Sequence, residues 1–471
     1  MQNSKDKTGT VHQPEDSKVK ILSKEEEILI KIIKKIGEER REEIEKRITQ
    51  LIGENPRLTR LGALYLIGEE LGVFEASRAE EYVVPLGKLV GGLNNVNVVC
   101  RVLGTRGPLK SGSTEYAYMR LGDNTGVVSA IVWSEPLRKM ADMNILVGDV
   151  LFIKEAYTKE GVDGKTELHL GKNAIIKKIE DADIQPLEAF FKEELPTEKR
   201  GFELDVKAKI IGLSDEFAID LKRETTTLRE ALLLMGKRIL GMTAWREHVN
   251  LLKSLMPGQI VLISGAKYVK RSLSITPKTC IVPIDATTDL SLPELKITIL
   301  DIVGSKDSDN IYIIACSDYV LFAKHPNLEL GKSYLVKKYE LIYEDRKWLL
   351  VPFELSEKLD ADVQNLQTTY TLRELSEDLS YVCVEGRVGI KTPLATQKSK
   401  SGEEIETLNF WLSDGERNIY SRVFGKNAAV LNNIPEGSKV RLKWIKVRKT
   451  RFGSLEVILD DVSKVERLKE D

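Results

Sequence analysis

Cysteine is scarce in this chain and scattered: Cys100, Cys280, Cys316 and Cys383 stand far apart, and no CxxC pair occurs. A zinc ribbon needs such pairs, so that class is excluded, and separate thiols of this kind read as reduced, buried side chains of an intracellular protein. Histidine offers no better metal pattern, because His12, His169, His248 and His325 show neither HxxH nor HExxH spacing. A Walker loop and a GxSxG elbow are missing, the GxG-type turns are isolated, and no carboxylate spacing marks a metal pair. The chain therefore reads as a protein that is not an enzyme and calls for no metal or cofactor. No apolar run reaches the roughly 18 residues of a membrane span. Residues 1–22 are polar, lack the apolar core of a signal peptide and read as a disordered tail. Charge of one sign is also lacking: 71 Lys and Arg face 72 Asp and Glu, for a net charge of -1. Only local clusters can therefore speak for a polyanionic partner.

The 471 residues exceed one ordinary domain, and the 42% apolar content can build several cores. Residues 23–80 carry helical periodicity. Ser23 and Glu26 have the spacing of a capping box, and Ile28, Ile32, Ile33 and Ile36 follow. Further helices are expected over 39–52 and 59–71, giving a small three-helix domain. From residue 81 the pattern becomes β, with short runs of Val, Ile, Leu and Tyr between Gly, Asp and Asn turns. Asp163-Gly164 and the segment Asp123-Asn124-Thr125-Gly126 read as hairpin turns. Acidic or Pro-containing stretches at 180–200, 287–293 and 356–370 divide the β region into pieces at 90–182, 200–286, 293–357 and 370–468.

These pieces repeat one pattern. A strand ends on an aromatic residue, a short helical or polar segment follows, and a glycine opens the next apolar strand. The pairs are Trp133 with Gly148, Trp245 with Gly258, Phe322 with Gly331, and Phe424 with Gly437. With two strands upstream, each piece has the order of a five-stranded OB barrel, with a helix between its third and fourth strands. The expected fold is mainly β: about four tandem OB-type barrels preceded by the three-helix domain. The third piece is the shortest and has almost no room for the helix.

Strand alternation tells where the aromatic points. Val128, Ala130 and Val132 suit the core, which puts Trp133 on the other face. Leu240, Met242 and Ala244 do the same opposite Trp245, as do Ile419 and Val423 opposite Tyr420, Arg422 and Phe424. A tryptophan at a strand end packs more often than it binds, but three recurrences on the more polar face favour base stacking, which is worth roughly 1–3 kcal/mol per base. The fourth piece has the fullest set: Trp411, Tyr420, Arg422 and Phe424 on the second and third strands, Lys391, Lys398 and Lys400 in the first loop, and Lys446, Arg448, Lys449, Arg451 and Phe452 on the last hairpin. The first piece offers Tyr116, Tyr118 and Arg120 on its second strand, with Arg106 and Lys110 in the loop before it. The second offers Phe217, Lys267, Lys270 and Arg271. Lysine and arginine clusters are usually solvated faces, and these are candidates for phosphate contact beside that reading. Trp348 reads as packing, Trp444 as core with Val440 and Leu442, and Phe322 as closing its barrel or binding.

The segment from Val99 to Ala174, with RLGDNTG at 120–126, AIVW at 130–133, VGDV at 147–150 and ELHLG at 167–171, resembles an OB domain of the archaeal replication protein A family. LGALYLIGEELGV at 61–73 is similar to the helical domain of that family. The resemblance implies single-stranded DNA as the ligand, bound and protected in replication, recombination and repair. It places stacking on Trp133, with Trp245 and Phe424 as pattern-level equivalents and Tyr116 or Tyr118 as the second ring. It also implies a cytoplasmic, nucleoid-associated protein. Single-stranded RNA, or a protein-interaction scaffold of the replication or transcription machinery, are the competing readings. The N-terminal helices read as a recruiting surface for replication, repair or transcription proteins, or as a stabilising cap. The zinc ribbon of many relatives is absent, and the third barrel reads as a spacer or a protein-interaction module.

Overall fold

A computed structural model of the chain describes residues 24–54, 58–73, 82–180, 182–194, 202–220, 224–269, 272–284, 290–306, 309–317, 319–358, 367–377, 379–398 and 402–469. They divide into two compact units, Met1–Tyr82 and Val83–Asp471. The first holds the three helices, Lys24–Ile36, Arg41–Glu54 and Arg60–Glu70. Ile28, Leu29, Ile32 and Ile33 recur every turn of the first helix and bury against Ile44, Ile48, Ala63, Leu64 and Ile67 of the others. Ser23, the expected cap, lies outside the described residues.

The second unit is four barrels in series. Barrel 1 is built from Val96–Ser111, Thr114–Asp123, Gly126–Trp133, Val150–Glu160 and Thr166–Leu170. Barrel 2 uses Glu203–Leu213, Thr225–Met235, Arg238–Trp245, Ile260–Val269 and Ser272–Ser274. Barrel 3 uses Leu295–Lys306, Asp309–Cys316, Tyr319–His325, Ser333–Glu344 and Lys347–Lys358. Barrel 4 uses Ser380–Lys391, Glu404–Ser413, Asn418–Phe424, Lys439–Lys449 and Leu455–Leu459. In each, the strands close in the ring order first, second, third, fifth, fourth and back to first. The third and fifth strands run parallel and the other neighbours antiparallel. This is the OB topology.

The repeated glycine has one structural job in all four barrels. Gly148, Gly258, Gly331 and Gly437 adopt φ of 98°, 92°, 77° and 87°, which residues with a Cβ rarely do. Each donates its backbone N–H to the first strand, at the carbonyls of Val102, Ile210, Ile299 and Val388, over 2.7–2.9 Å. The glycine thus locks the entry of the fourth strand to the bend of the first. Helix Ser134–Asp142 bridges the third and fourth strands in barrel 1, a 3-10 helix over Arg246–Leu252 in barrel 2, and helix Lys426–Asn432 in barrel 4. Barrel 3 has only a loop there. Tyr312, 1% exposed, and Leu328 join its core instead, and the Tyr312 hydroxyl accepts the Leu328 N–H at 2.9 Å.

The barrels are not beads on linkers. The stretch read as a divider at 180–200 sends Phe190 and Phe191 into a buried cluster with Leu103 of barrel 1 and Leu262 of barrel 2. Ile211, Leu232 and Ile239 of barrel 2 share a core with Leu341 and Trp348 of barrel 3. The approach is so close there that a Cβ on Gly212 would fall 2.8 Å from the Trp348 ring, so only glycine fits. Ile313, Phe322 and Leu349 of barrel 3 bury against Cys383, Trp444 and Val462 of barrel 4. Trp444 is therefore buried, but in this joint and not in its own barrel. Its φ of 59° marks a bulge in the fourth strand that breaks the alternation after Val440 and Leu442, so that Ile445 and Val447 take the inward places. All four cysteines are buried.

Candidate nucleic-acid interface

The alternation read from the sequence holds where it concerns the cores. Val128, Ala130, Val132, Leu240, Met242, Ala244, Ile419 and Val423 are all buried. Trp133, Trp245 and Phe424 end their third strands on the outer face and are half-buried. Each stands directly across a residue of the second strand, namely Tyr116, Leu228 and Thr407.

Barrel 1 gathers a row of rings. Tyr116 lies 5.5 Å from Tyr118 and 5.7 Å from Trp133, centroid to centroid. The row continues past the third strand to residues that the sequence reading left aside. His169 of the fifth strand stacks 6.2 Å from Trp133 and 5.1 Å from Tyr157, over which Lys159 places its ammonium at 5.4 Å. The Trp133 Nε1–H points at His169 Nδ1 across 3.4 Å, so the imidazole proton sits on Nε2, 3.3 Å from Glu167. Burial holds the His169 pKa below its ordinary 6.5, which keeps the acceptor lone pair. The parallel pairing of third and fifth strands sets His169 beside Ile131. That placement follows from the OB order and could have been drawn from sequence.

In barrel 4, Trp411 stands across from Tyr420, rings 5.5 Å apart, and Asn409 across from Arg422, whose guanidinium lies 5.8 Å from the Tyr420 ring. Trp411 is 45% exposed. At the hairpin tip Phe452 is 81% exposed, with Arg451 4.5 Å above its ring. Lys398 is exposed on the short strand Ala395–Lys398, and Lys110 is exposed beside Glu115 in barrel 1.

Several expected cations are spent on structure. Arg120 is 6% exposed and bonds Glu203 and Asp205 of barrel 2 at 2.8–3.0 Å. Arg106 is also buried, and its guanidinium donates to the Thr276 and Pro277 carbonyls at 2.6 and 3.0 Å and meets His248 at 2.8 Å. Both arginines are corrected from the exposed face to the joint between barrels 1 and 2. Lys446 pairs with Asp460 at 2.7 Å and lies over Tyr381 near the joint with barrel 3. Arg448 and Arg422 converge on Glu456, which is 2% exposed. Lys391 donates to the carbonyls of Asn432 and Ile434 and so satisfies the end of the last helix. Phe217 stacks on Tyr343 of barrel 3. Lys270, Arg271 and Lys400 lie outside the described residues.

A rule governs which outer faces stay open. At the same height above the second-to-third hairpin lie the pairs Arg120–Ser129, Leu232–Gly241, Ile313–Phe322 and Trp411–Tyr420. The first is covered by barrel 2, the second by barrel 3 through Tyr319, and the third by barrel 4 through Tyr381 and Trp444. Each barrel thus caps half of the face of the one before it. Barrels 1 and 2 keep the strand-end half, around Trp133 and Trp245, and Phe322 of barrel 3 is buried. Barrel 4 keeps the Trp411–Tyr420 pair open as well as the strand-end half.

No protein-family model and no curated protein sequence matches the chain. Solved structures do. One is a replication protein A heterotrimer bound to single-stranded DNA, with 11% identity and a TM-score of 0.34, covering 82% of this chain and 96% of that one. Another is a replication factor A related protein from Methanobacterium thermoautotrophicum, with 26% identity and a TM-score of 0.20, covering 21% of this chain and 90% of that one. The neighbours are replication protein A and OB-fold proteins like it. They also include a HIN domain in complex with 20-base-pair double-stranded DNA, with 10% identity and a TM-score of 0.28, covering 41% of this chain and 97% of that one. Among the described residues no helix is long and apolar enough to cross a membrane.

Proposed function

We propose that this chain binds nucleic acid, and single-stranded DNA in particular, largely without regard to sequence, and protects it in replication, recombination and repair. The observation that carries this reading is the pair of open ring clusters on equivalent OB faces: Tyr116, Tyr118 and Trp133 in barrel 1, and Trp411, Tyr420 and Phe424 in barrel 4. Partly exposed rings offer π-faces to any base, which gives affinity without sequence readout. Arg451, Lys398, Lys110 and Lys159 stand beside them to meet phosphates. The mechanism is passive: bases stack, cations neutralise phosphates, and the bound strand is kept from pairing. The choice of DNA over RNA follows the sequence resemblance to archaeal replication protein A, since stacking and phosphate contact are alike for both. In the helical unit Ile30, Tyr65 and Leu66 are exposed, which suits recruitment of a protein partner.

The test is fluorescence anisotropy with equal lengths of oligo(dT), oligo(U) and duplex DNA at about 50 and 200 mM salt. Oligo(dT) should bind most tightly, with affinity falling at least tenfold over that range. An absence of binding to any strand at low salt would favour a protein scaffold.

A further inference from the structure

Glu230 stands where a face for polyanions would not be expected to carry an anion. It lies on the outer side of the second strand of barrel 2, directly across from Thr243 and one outward position from the Leu228–Trp245 pair. The matching pairs are Tyr118–Ile131 in barrel 1, and Asn409–Arg422 in barrel 4, where the adjoining carboxylate of Glu456 is balanced by Arg422 at 3.0 Å. Thr243 donates its hydroxyl to Glu230 Oε2 at 2.9 Å, and the Glu230 N–H donates to Ser214 Oγ at 2.8 Å.

No cation balances the carboxylate among the described residues. The neighbouring Arg229 is turned away, donating to the carbonyls of Ser214 and Leu252 at 2.8 Å, and Arg246 pairs with Glu224. From barrel 3 the groups that face Glu230 are the phenols of Tyr319 and Tyr343, which bring no positive charge. Burial raises the carboxyl to about 7, with the Thr243 hydroxyl pulling the other way. A half-buried carboxylate held by one hydroxyl, one outward pair along the strands from Trp245, keeps acceptor capacity beyond that hydroxyl.

We propose that Glu230, Thr243 and Trp245 form a base-reading subsite that prefers bases bearing an exocyclic amino group, cytosine first among the pyrimidines, over thymine and uracil. This rests on the single-strand reading above and sharpens it: the other open faces accept any base, and barrel 2 adds a preference. A base stacked on Trp245 turns an edge toward Glu230. The cytosine N4 amino group donates to a carboxylate. Thymine and uracil present the O4 carbonyl at that place, and its lone pairs meet those of the carboxylate.

The experiment compares oligo(dC) and oligo(dT) of equal length at pH 8, for wild type, Glu230→Met and Glu230→Gln. Methionine keeps the length and removes every acceptor, while glutamine keeps shape and a neutral acceptor for Thr243. Wild type should favour oligo(dC) by about tenfold, as for a charge-assisted hydrogen bond. Glu230→Met should abolish that ratio and Glu230→Gln should reduce it, by weakening oligo(dC) while oligo(dT) binds as tightly as to wild type or more tightly. From pH 8 to pH 6 the wild-type ratio should shrink as the carboxyl protonates, while the ratio of each variant stays flat. Equal wild-type affinities, a preference that survives Glu230→Met, or an equal loss for both strands would overturn the proposal. Failure of wild type to bind either strand would instead overturn the single-strand reading beneath it.

Discussion

Glu230 should make the protein more stable in mild acid than in mild base, against the trend of most carboxylates. Burial lifts this group from 4.5 to about 7 in the folded state. At about 1.4 kcal/mol per pH unit the rise corresponds to about 3 kcal/mol, or about 2–3 kcal/mol once residual solvent screening is included. The folded chain holds the proton more tightly than the unfolded chain, so folding is favoured where the group is protonated. The favourable state persists below 4.5, weakens as pH climbs through 7, and is lost at pH 8. Glu230→Gln removes the ionisation and keeps the oxygen that Thr243 needs. The variant should therefore be more stable than wild type by about 2–3 kcal/mol at pH 8 and by about 1 kcal/mol or less at pH 5. Urea unfolding at the two pH values, read as the difference between variant and wild type, measures this. A variant no more stable than wild type at pH 8, or equally advantaged at both pH values, would refute the view that Glu230 is an unbalanced buried acid.

Two further outcomes follow from the joints. Arg120→Leu leaves Glu203 and Asp205 without their shared cation, and should cost roughly 3–5 kcal/mol at pH 7 in the same unfolding assay. Trp444→Ala empties the barrel 3–4 joint and removes the Nε1–H bond to Asp301 at 2.7 Å, so it should destabilise by roughly 3–5 kcal/mol; below its melting point it should bind oligo(dT) within about twofold of wild type, because Trp444 is not on an open face.

Local features were legible because each depends on nearby residues. The glycine before every fourth strand announced itself by spacing, and the structure gives it one positive φ and one hydrogen bond in all four barrels. The outward position of Trp133, Trp245 and Phe424 followed from alternation with small apolar neighbours. What could not be read was the docking of barrel on barrel. Arg120 shares a strand face with Tyr116 and Tyr118, and only the arrival of barrel 2 decides that it binds Glu203 and Asp205 instead of a phosphate. Phe322 has the sequence pattern of Trp133, yet its strand runs on to His325, so that it sits at the height of Ser129 and not at the strand end, where barrel 4 buries it. Trp444 misled because one residue at positive φ shifts the phase of its strand. His169 and Tyr157 join the ring row only through the pairing of the fifth strand with the third and the fourth, which sets His169 beside Ile131 and across from Tyr157.

The central claim is that open rings on the outer faces of barrels 1 and 4 hold the strand while the barrel 3 ring does not. Anisotropy titration of oligo(dT) by Trp133→Ala, Trp411→Ala and Phe424→Ala, singly and combined, tests it directly, with Phe322→Ala as the buried comparison. Each open-face substitution should weaken binding by about fivefold to a hundredfold, the combination by more, and Phe322→Ala by less than about twofold while the chain stays folded. A combined variant that binds oligo(dT) as tightly as wild type would contradict the account.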